Sequence, residues 1–167
     1  MLNLKCVAAN GVIQVAQTES FVSAEKLNSD FLTRKGDILV RLSSPYTSLL
    51  IQDDEECGLL VPSHFAIMRA NPEIILPEYL LWFLKRESIY QQILQNSSGS
   101  SAFGTISSGF LASLKIRVLP LEKQKMLGEL QILSEREQEL LEKLAKQKKI
   151  YNQMMINTIY ESVKRGK

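Results

Sequence analysis

Histidine, cysteine and long apolar runs are scarce in this 167-residue chain, and each scarcity excludes a class of function. One histidine, His64, and two distant cysteines, Cys6 and Cys57, are too few for a zinc site or a disulfide framework. We interpret both cysteines as free buried thiols of a cytoplasmic protein. No apolar run approaches the ~20 residues that a membrane-spanning helix needs. The first residues also lack the basic and apolar segments of a signal peptide.

Motifs of catalysis are missing as well. The sequence has no Gly-x-Ser-x-Gly elbow and no Gly-x-x-x-x-Gly-Lys-Ser/Thr loop for phosphates. We interpret His64, a lone histidine at the start of a strand, as structural, and the acidic run 53–56 as a solvated turn. We therefore expect no catalysis, no cofactor and no metal. An enzyme with an unrecognised site at His64 is the minor alternative.

The net charge of +2 is small and unevenly spread. Residues 1–120 carry ten basic and eleven acidic side chains, whereas residues 121–167 carry ten basic and seven acidic ones. Bulk charge therefore gives no sign of nucleic-acid binding. Loops rich in hydroxyl and amide groups leave that function open, because such groups contact phosphates and base edges.

The first 120 residues predict short strands followed by helices. Branched residues, interrupted by proline, glycine and acidic turns, are typical of strands. A helix is predicted from Pro77 to about Leu94, because proline suits the first helical position and apolar residues then recur at helical spacing. Residues 96–108, rich in serine, predict a structured surface loop, and 108–114 a short helix. Strands are predicted at 11–16, 38–42, 47–52, 59–61, 65–68 and 116–118, with a turn at 23–31.

After Pro120 the sequence predicts one long helix, from residue 121 to about 163. This stretch contains no proline and would be about 64 Å long, against roughly 30 Å for the diameter of a 120-residue domain. Its apolar residues recur in heptads, so we expect a partner helix, with the polar seam residues Glu137 and Gln147 fixing the register. The predicted dimerisation residues are Leu130, Leu133, Leu140, Leu144, Tyr151 and Met154.

Four segments occur in an order that resembles the specificity subunit of type I restriction–modification systems. They are a Gly-Asp-Ile-Leu strand at 35–40, a Pro-x-Tyr-Leu helix at 77–84, a serine–glycine loop at 97–103 that leads into Thr105, and a Leu-Pro-x-x-x-Gln helix start at 116–124. The resemblance covers about residues 30–163 and depends on the ordered set rather than on any single motif.

The resemblance implies a DNA target-recognition domain followed by a spacer helix. Members of that family carry two such units, whose long helices pack antiparallel, and modification subunits dock on them to methylate adenine with S-adenosylmethionine. The specificity subunit itself performs no chemistry. This chain, with one domain and one helix, resembles half of such a subunit. Two copies would then pair symmetrically through their heptad faces and read a split, symmetric target.

Together these observations predict an α+β fold. It consists of a small mixed target-recognition domain at 1–120, a long helix at 121–163 that forms an antiparallel coiled coil, and a disordered tail at 164–167. The expected partners are double-stranded DNA, a second copy of the chain, methyltransferase subunits and beyond them restriction subunits, with no membrane. The alternative is a coiled-coil protein-interaction adaptor that binds no DNA. The predicted DNA contacts, chosen by loop position and residue type, are Lys35, Arg41, Ser43, Ser44, Tyr46, Ser98, Ser100, Ser101, Thr105 and Lys115.

Overall fold

The structure, a computed structural model, describes residues 1–7, 13–19, 27–97 and 104–166. The predicted strand at 11–16 and the turn at 23–31 fall partly outside these residues, and three predicted DNA contacts, Ser98, Ser100 and Ser101, fall entirely outside them. Within the described part, no helix is both long and apolar enough to cross a membrane.

Three strands form an antiparallel sheet in the order β2-β1-β3. They are β1 (Ile38–Arg41), β2 (Ser48–Leu50) and β3 (Phe65–Met68), all within segments predicted to be strands. In the centre of the sheet, Leu39 pairs with Leu49 on one side and with Ile67 on the other. Residues 38–40 are completely buried, and β1 therefore reads as an unbroken apolar run rather than as an alternating pattern.

Two predicted strands do not form, and the end of a third, the one predicted at 11–16, is a 3-10 turn instead. The segment 59–61 makes a single bridge, between Leu60 and Leu32, because Pro62 follows it and cannot donate to a ladder. The segment 116–118 is not part of the sheet, although Ile116 packs against the core while Arg117 is exposed. Its alternating pattern therefore reflects an extended chain that lies over the core.

Helices cover one face of the sheet and the N-terminal residues cover the other. Ile38 and Val40 pack against α1 (Pro77–Leu84), α2 (Glu87–Asn96) and α3 (Ser108–Ser113). On the opposite face, Leu39 packs with the fully buried Leu2 and Cys6. Cys57 is only half-buried, so the prediction of two buried thiols is wrong for one of them. Short 3-10 turns lie at Val15–Gln17, Ser29–Phe31 and Asp54–Glu56.

The helix predicted from Pro77 to Leu94 is two helices. Arg86, with φ −64° and ψ 137°, is extended and ends the helical path between α1 and α2. The change of direction lets Ile89 and Ile93 of α2 turn onto the core. The Arg86 guanidinium lies 5.3 Å from the centre of the Trp82 ring, which in turn stacks on Tyr79 at 5.2 Å.

The long helix α4 spans Leu121–Arg165, 45 residues. It therefore includes Lys164 and Arg165, which were predicted to be in a disordered tail and which favour the negative end of the helix dipole. By their internal contacts the residues divide into two compact units, Met1–Glu129 and Leu130–Lys167. The division lies within α4 rather than at residue 120, because the first turns of α4 pack against α1.

Gln124 makes that packing specific. Its side chain is fully buried, and its Oε1 accepts a hydrogen bond from the Leu76 N–H at 2.9 Å. Its Nε2 donates to the carbonyls of Ile74 at 2.8 Å and Leu119 at 2.7 Å. One amide thus connects the residues before α1 with the residue that precedes Pro120. Without it, the Leu76 N–H and the carbonyls of Ile74 and Leu119 would lose these bonds.

Gly128, one turn further along the same face of α4, allows the close approach. A Cβ atom at this position would lie 2.5 Å from the Glu78 Cβ and 2.9 Å from the Glu78 carbonyl carbon. Because the nearest atoms belong to the first turn of α1, including its backbone, a side chain at position 128 would have to push the two helices apart.

We predict that Gln124→Met lowers the free energy of unfolding by about 2–4 kcal/mol, because a buried polar group left without a partner costs about 1–3 kcal/mol. Urea denaturation of the full chain measures the change. The matched control is Gln95→Met at an exposed position of α2, which should stay within about 0.5 kcal/mol of the parent. Equal losses for the two variants would contradict the role of Gln124.

We predict that Gly128→Ala also destabilises the chain, by about 1–3 kcal/mol from overpacking, although alanine favours a helix over glycine by about 1 kcal/mol. The control is Gly109→Ala in α3, where the nearest atom to an added Cβ is 3.8 Å away. Thermal unfolding should show a lower Tm for the first variant and an unchanged or higher Tm for the second. A higher Tm for Gly128→Ala would show that the helices are not in close contact there.

Candidate nucleic-acid interface

Polar side chains gather at one end of the sheet, where β1 ends and β2 and β3 begin. Arg41 is the last residue of β1, and its N–H donates to the Thr47 carbonyl at 2.8 Å. The next N–H, of Leu42, donates to the carbonyl of the exposed His64 at 2.9 Å. The antiparallel register thus places residues from three strand ends beside one another.

A fourth chain segment, 104–106, joins this end of the sheet. Ser43 forms an isolated bridge with Thr105, and the Ile106 N–H donates to the Leu42 carbonyl at 2.9 Å. Ile106 is buried in the core while Thr105 is exposed. The core contact of Ile106 therefore fixes Thr105 at the surface beside Ser43.

The side chains of Tyr46 and Ser97 both lie close to Gly104. A Cβ on Gly104 would lie 2.7 Å from the Tyr46 hydroxyl oxygen and 3.0 Å from the Ser97 Oγ. The Ser97 hydroxyl donates to the Leu94 carbonyl at 2.8 Å. Gly104 is therefore required for the close approach of two hydroxyl groups. We call the whole set the polar surface: Arg41, Ser43, Tyr46, Thr47, His64, Ser97 and Thr105.

The structure brings together four of the predicted DNA contacts. Arg41, Ser43, Tyr46 and Thr105 belong to the polar surface, and the Arg41 Nε donates to the Ser43 Oγ at 3.4 Å. Ser44 lies in the same turn, next to the cis peptide bond to Pro45.

Two other predicted contacts are not members of the polar surface. Lys35 precedes β1 at the opposite end of the strand and forms an ion pair with Asp54 at 3.6 Å. Lys115 is exposed in the segment that joins α3 to α4.

The opposite end of the sheet is rich in carboxylates. Asp37 is only 2% exposed and accepts from Arg69 at both oxygens, from Nε at 2.8 Å and from Nη2 at 3.1 Å. The hydrogen bond and the charge of Asp37 raise the pKa of the Arg69 guanidinium further above its usual value. Asp30 lies 3.6 Å from the same guanidinium, and the acidic turn Asp54–Glu56 follows β2. A phosphate backbone would meet repulsion there.

The sequence interpretation missed Thr47, His64 and Ser97 as members of this surface. Thr47 and His64 each sit at the start of a strand, so pairing the predicted strands into a sheet would have placed them beside Arg41. His64 was interpreted as structural, and its carbonyl does bond to Leu42 while its side chain is exposed. Among the described residues, no three histidine, cysteine or acidic side chains come close enough to hold a metal.

Solved structures share the fold of about two-thirds of this chain. A protein from a structure of the type I R-M system, described for its complex assembly and conformational transition, superposes with a TM-score of 0.55 at 21% identity. The HsdS subunit from Thermoanaerobacter tengcongensis superposes with a TM-score of 0.53 at 26% identity. Each match covers 65% of this chain and 28% of the other. The chain thus has a mixed α+β fold, as predicted, and spans under a third of either neighbour.

The family follows from the sequence itself. Residues 1–152 match the family described as the type I restriction modification DNA specificity domain. The match covers most of the chain, including the strands, α1 to α3 and the first two-thirds of α4. This chain belongs to that family, which confirms the resemblance drawn from the ordered segments.

Proposed function

We propose that this chain recognises one half of a bipartite DNA target for a type I restriction–modification system, and that the polar surface makes the contact. The observation that carries the proposal is the convergence of Arg41, Ser43, Tyr46 and Thr105 at the end of the sheet away from the acidic residues. Membership of the DNA specificity family supports the same proposal.

The chemistry of the polar surface suits a DNA duplex. Hydroxyl groups such as those of Ser43 and Thr105 donate to phosphates and to base edges alike. A guanidinium such as that of Arg41 forms bidentate hydrogen bonds with guanine, the commonest base-specific contact. The Arg41 Nε makes one long hydrogen bond, of 3.4 Å to the Ser43 Oγ, so the guanidinium could exchange this partner for a base edge.

The proposal assigns no catalysis to this chain. Methyltransferase subunits would dock on it, with restriction subunits beyond them, and would supply the chemistry in the cytoplasm. One of the neighbouring structures is described as an assembly of the type I R-M system, which supports this arrangement by analogy. The other half of the target would be read by a second unit, paired through Leu130, Leu133, Leu140, Leu144, Tyr151 and Met154. Each of these six side chains is at least 50% exposed.

A coiled-coil adaptor without DNA binding is the second candidate. The observation in its favour is the slight excess of acidic over basic residues among residues 1–120, eleven against ten. A protein that neutralises several phosphates usually carries a clear basic patch. In the adaptor, α4 would recruit a protein partner, and the polar surface would have no ligand.

The first test is selection from a pool of random-sequence duplexes. If the full chain recognises DNA, repeated selection enriches a defined sequence, and the affinity for it falls linearly with salt on a logarithmic scale because bound phosphates release counterions. Fluorescence anisotropy of the enriched duplex measures both effects. Failure to enrich any sequence, or an affinity that is insensitive to salt, would favour the adaptor.

We predict that Arg41→Ala raises the Kd for the enriched duplex about tenfold or more, because a base-contacting arginine contributes about 1–3 kcal/mol. Lys35→Ala is the matched control, since it removes one positive charge from the opposite end of the same strand. It should change the Kd by about twofold at most, as expected for a distant exposed charge. If Lys35→Ala weakens binding as much as Arg41→Ala, the polar surface is not the interface.

A further inference from the structure

The exposed side of α2 consists largely of neutral amides. Ile89 and Ile93 hold the helix on the core. Ser88, Gln91 and Gln95 follow one another at intervals of three and four residues on the side away from the core, and all three are exposed. Glutamine and asparagine together make up four of the ten residues of α2. This side of the helix therefore offers hydrogen-bond donors and acceptors that carry no charge.

The lack of charge distinguishes α2 from α4. Residues 88–96 contain no charged side chain, whereas residues 135–149 of α4 contain nine among fifteen. The exposed face of a surface helix ordinarily combines charged with polar residues. A face of uncharged amides matches a ligand whose own hydrogen-bonding groups are neutral, and the edges of DNA bases are such groups.

Gln95 is the amide of α2 that makes no hydrogen bond within the described part of the chain. Gln91 donates to the Glu87 carboxylate at 2.6 Å. Gln92 and Asn96 donate to main-chain carbonyls one turn earlier, at 3.2 and 2.8 Å. Both the NH2 group and the carbonyl of the Gln95 side chain are therefore available to a ligand. An amide with both groups available forms a bidentate pair with N6 and N7 of adenine.

The last turn of α2 leads directly into the polar surface. Ser97, a member of that surface, follows the helix, and its hydroxyl donates to the Leu94 carbonyl at 2.8 Å. The Asn96 amide covers the Gln92 carbonyl in the same way. Two carbonyls at the C-terminal end of the helix are thus bonded within the chain rather than turned toward phosphates. This end of α2 can therefore lie beside a duplex.

The one acidic residue of α2 is at its other end. Glu87 precedes Gln95 by eight residues, about 12 Å along the helix axis. Between them, Tyr90 and Leu94 are 38% and 40% exposed and offer apolar surface, which contacts the methyl group of thymine. The major groove of DNA, about 12 Å wide, admits an α-helix. The last two turns of α2 can enter it without bringing a carboxylate of the helix close to the phosphates.

We propose that α2 enters the major groove of the target and that Gln95 reads an adenine there. The carbonyl oxygen of the Gln95 side chain accepts from N6 of the base, and the NH2 group donates to N7. This deepens the proposed function and rests on it, since it adds a base-reading residue beside the polar surface. The sequence interpretation did not include Gln95, because it chose DNA contacts from loops.

Selection from random-sequence duplexes, repeated with variants of the full chain, tests the inference. One position of the site that the parent enriches should be adenine. Gln95→Ala should lose the preference at that position alone and bind the parent's duplex about fivefold more weakly or worse, as expected without a bidentate pair. Gln95→Glu should prefer cytosine at that position, because a carboxylate accepts from cytosine N4. A distorted fold would weaken binding but would not exchange one preferred base for another.

Gln52→Ala is the matched control. It removes the same amide from an exposed position at the acidic end of the sheet, where the Gln52 N–H donates to Glu56 at 2.9 Å. It should select the parent's site with a Kd within about twofold of the parent's, as expected for a surface residue outside the interface. Gln95→Ala should keep the parent's Tm, since alanine favours a helix at least as well as glutamine. It should also keep the salt dependence of Kd, because an amide neutralises no phosphate.

Two results would overturn the inference. If both Gln95 variants select the parent's site with the parent's affinity, α2 does not read DNA, and its amide side is left to a protein partner. If Gln52→Ala loses as much affinity as Gln95→Ala, the effect is not specific to α2. In either case a weaker affinity of Arg41→Ala would still support the proposed function. A parent chain that enriches no duplex would refute both proposals.

Discussion

The buried amide of Gln124 is the interaction on which the organisation of the first unit depends. It bonds to the backbone on both sides of the contact between α1 and α4, and Gly128 lets that contact close. An apolar side chain could fill the same volume but could not satisfy three backbone groups. The Leu-Pro-x-x-x-Gln pattern at the start of the long helix therefore has a structural cause. Pro120 directly precedes the helix, and its carbonyl accepts from the Gln124 N–H at 3.1 Å, while the Gln124 side chain binds the helix to the domain.

The two ends of the sheet differ in the charge of the side chains that lie there. At the acidic end, Asp37 accepts from Arg69 and from the backbone N–H of Arg34. The aspartate of the Gly-Asp-Ile-Leu segment therefore stabilises the turn that precedes β1. At the polar end, the charged side chain of Arg41 is held loosely, by one bond of 3.4 Å to Ser43. Buried ion pairs with satisfied oxygens are rigid, whereas partly exposed groups can exchange partners. The loosely held end is therefore the better candidate for a ligand.

Local sequence patterns were enough to predict most strands and helices, because runs of branched residues, prolines and heptads determine secondary structure over short stretches of chain. The sequence predicted β1, β2, β3 and the start of α1 close to where they lie. It missed what depends on tertiary contacts: the break at Arg86, and the packing of Leu2 under the sheet. For the candidate site, residue type and loop position selected Arg41, Ser43 and Thr105. The same criteria also selected Lys35, because only the pairing of the strands shows that Lys35 lies at the other end of the sheet.

Burial along α4 runs against the usual rule that apolar residues are inside and polar residues outside. Gln124 is fully buried, while Leu130 and Leu133, six and nine residues further on, are each 66% exposed. In the first unit the polar residue is inside because its amide has backbone partners there. In the second unit the leucines are exposed along one helix, which is why we propose that a second recognition unit covers them. A surface helix that needs no partner exposes polar side chains, so the exposed leucines of the second unit favour the proposed pairing, whereas the first turns of α4 already pack within the first unit.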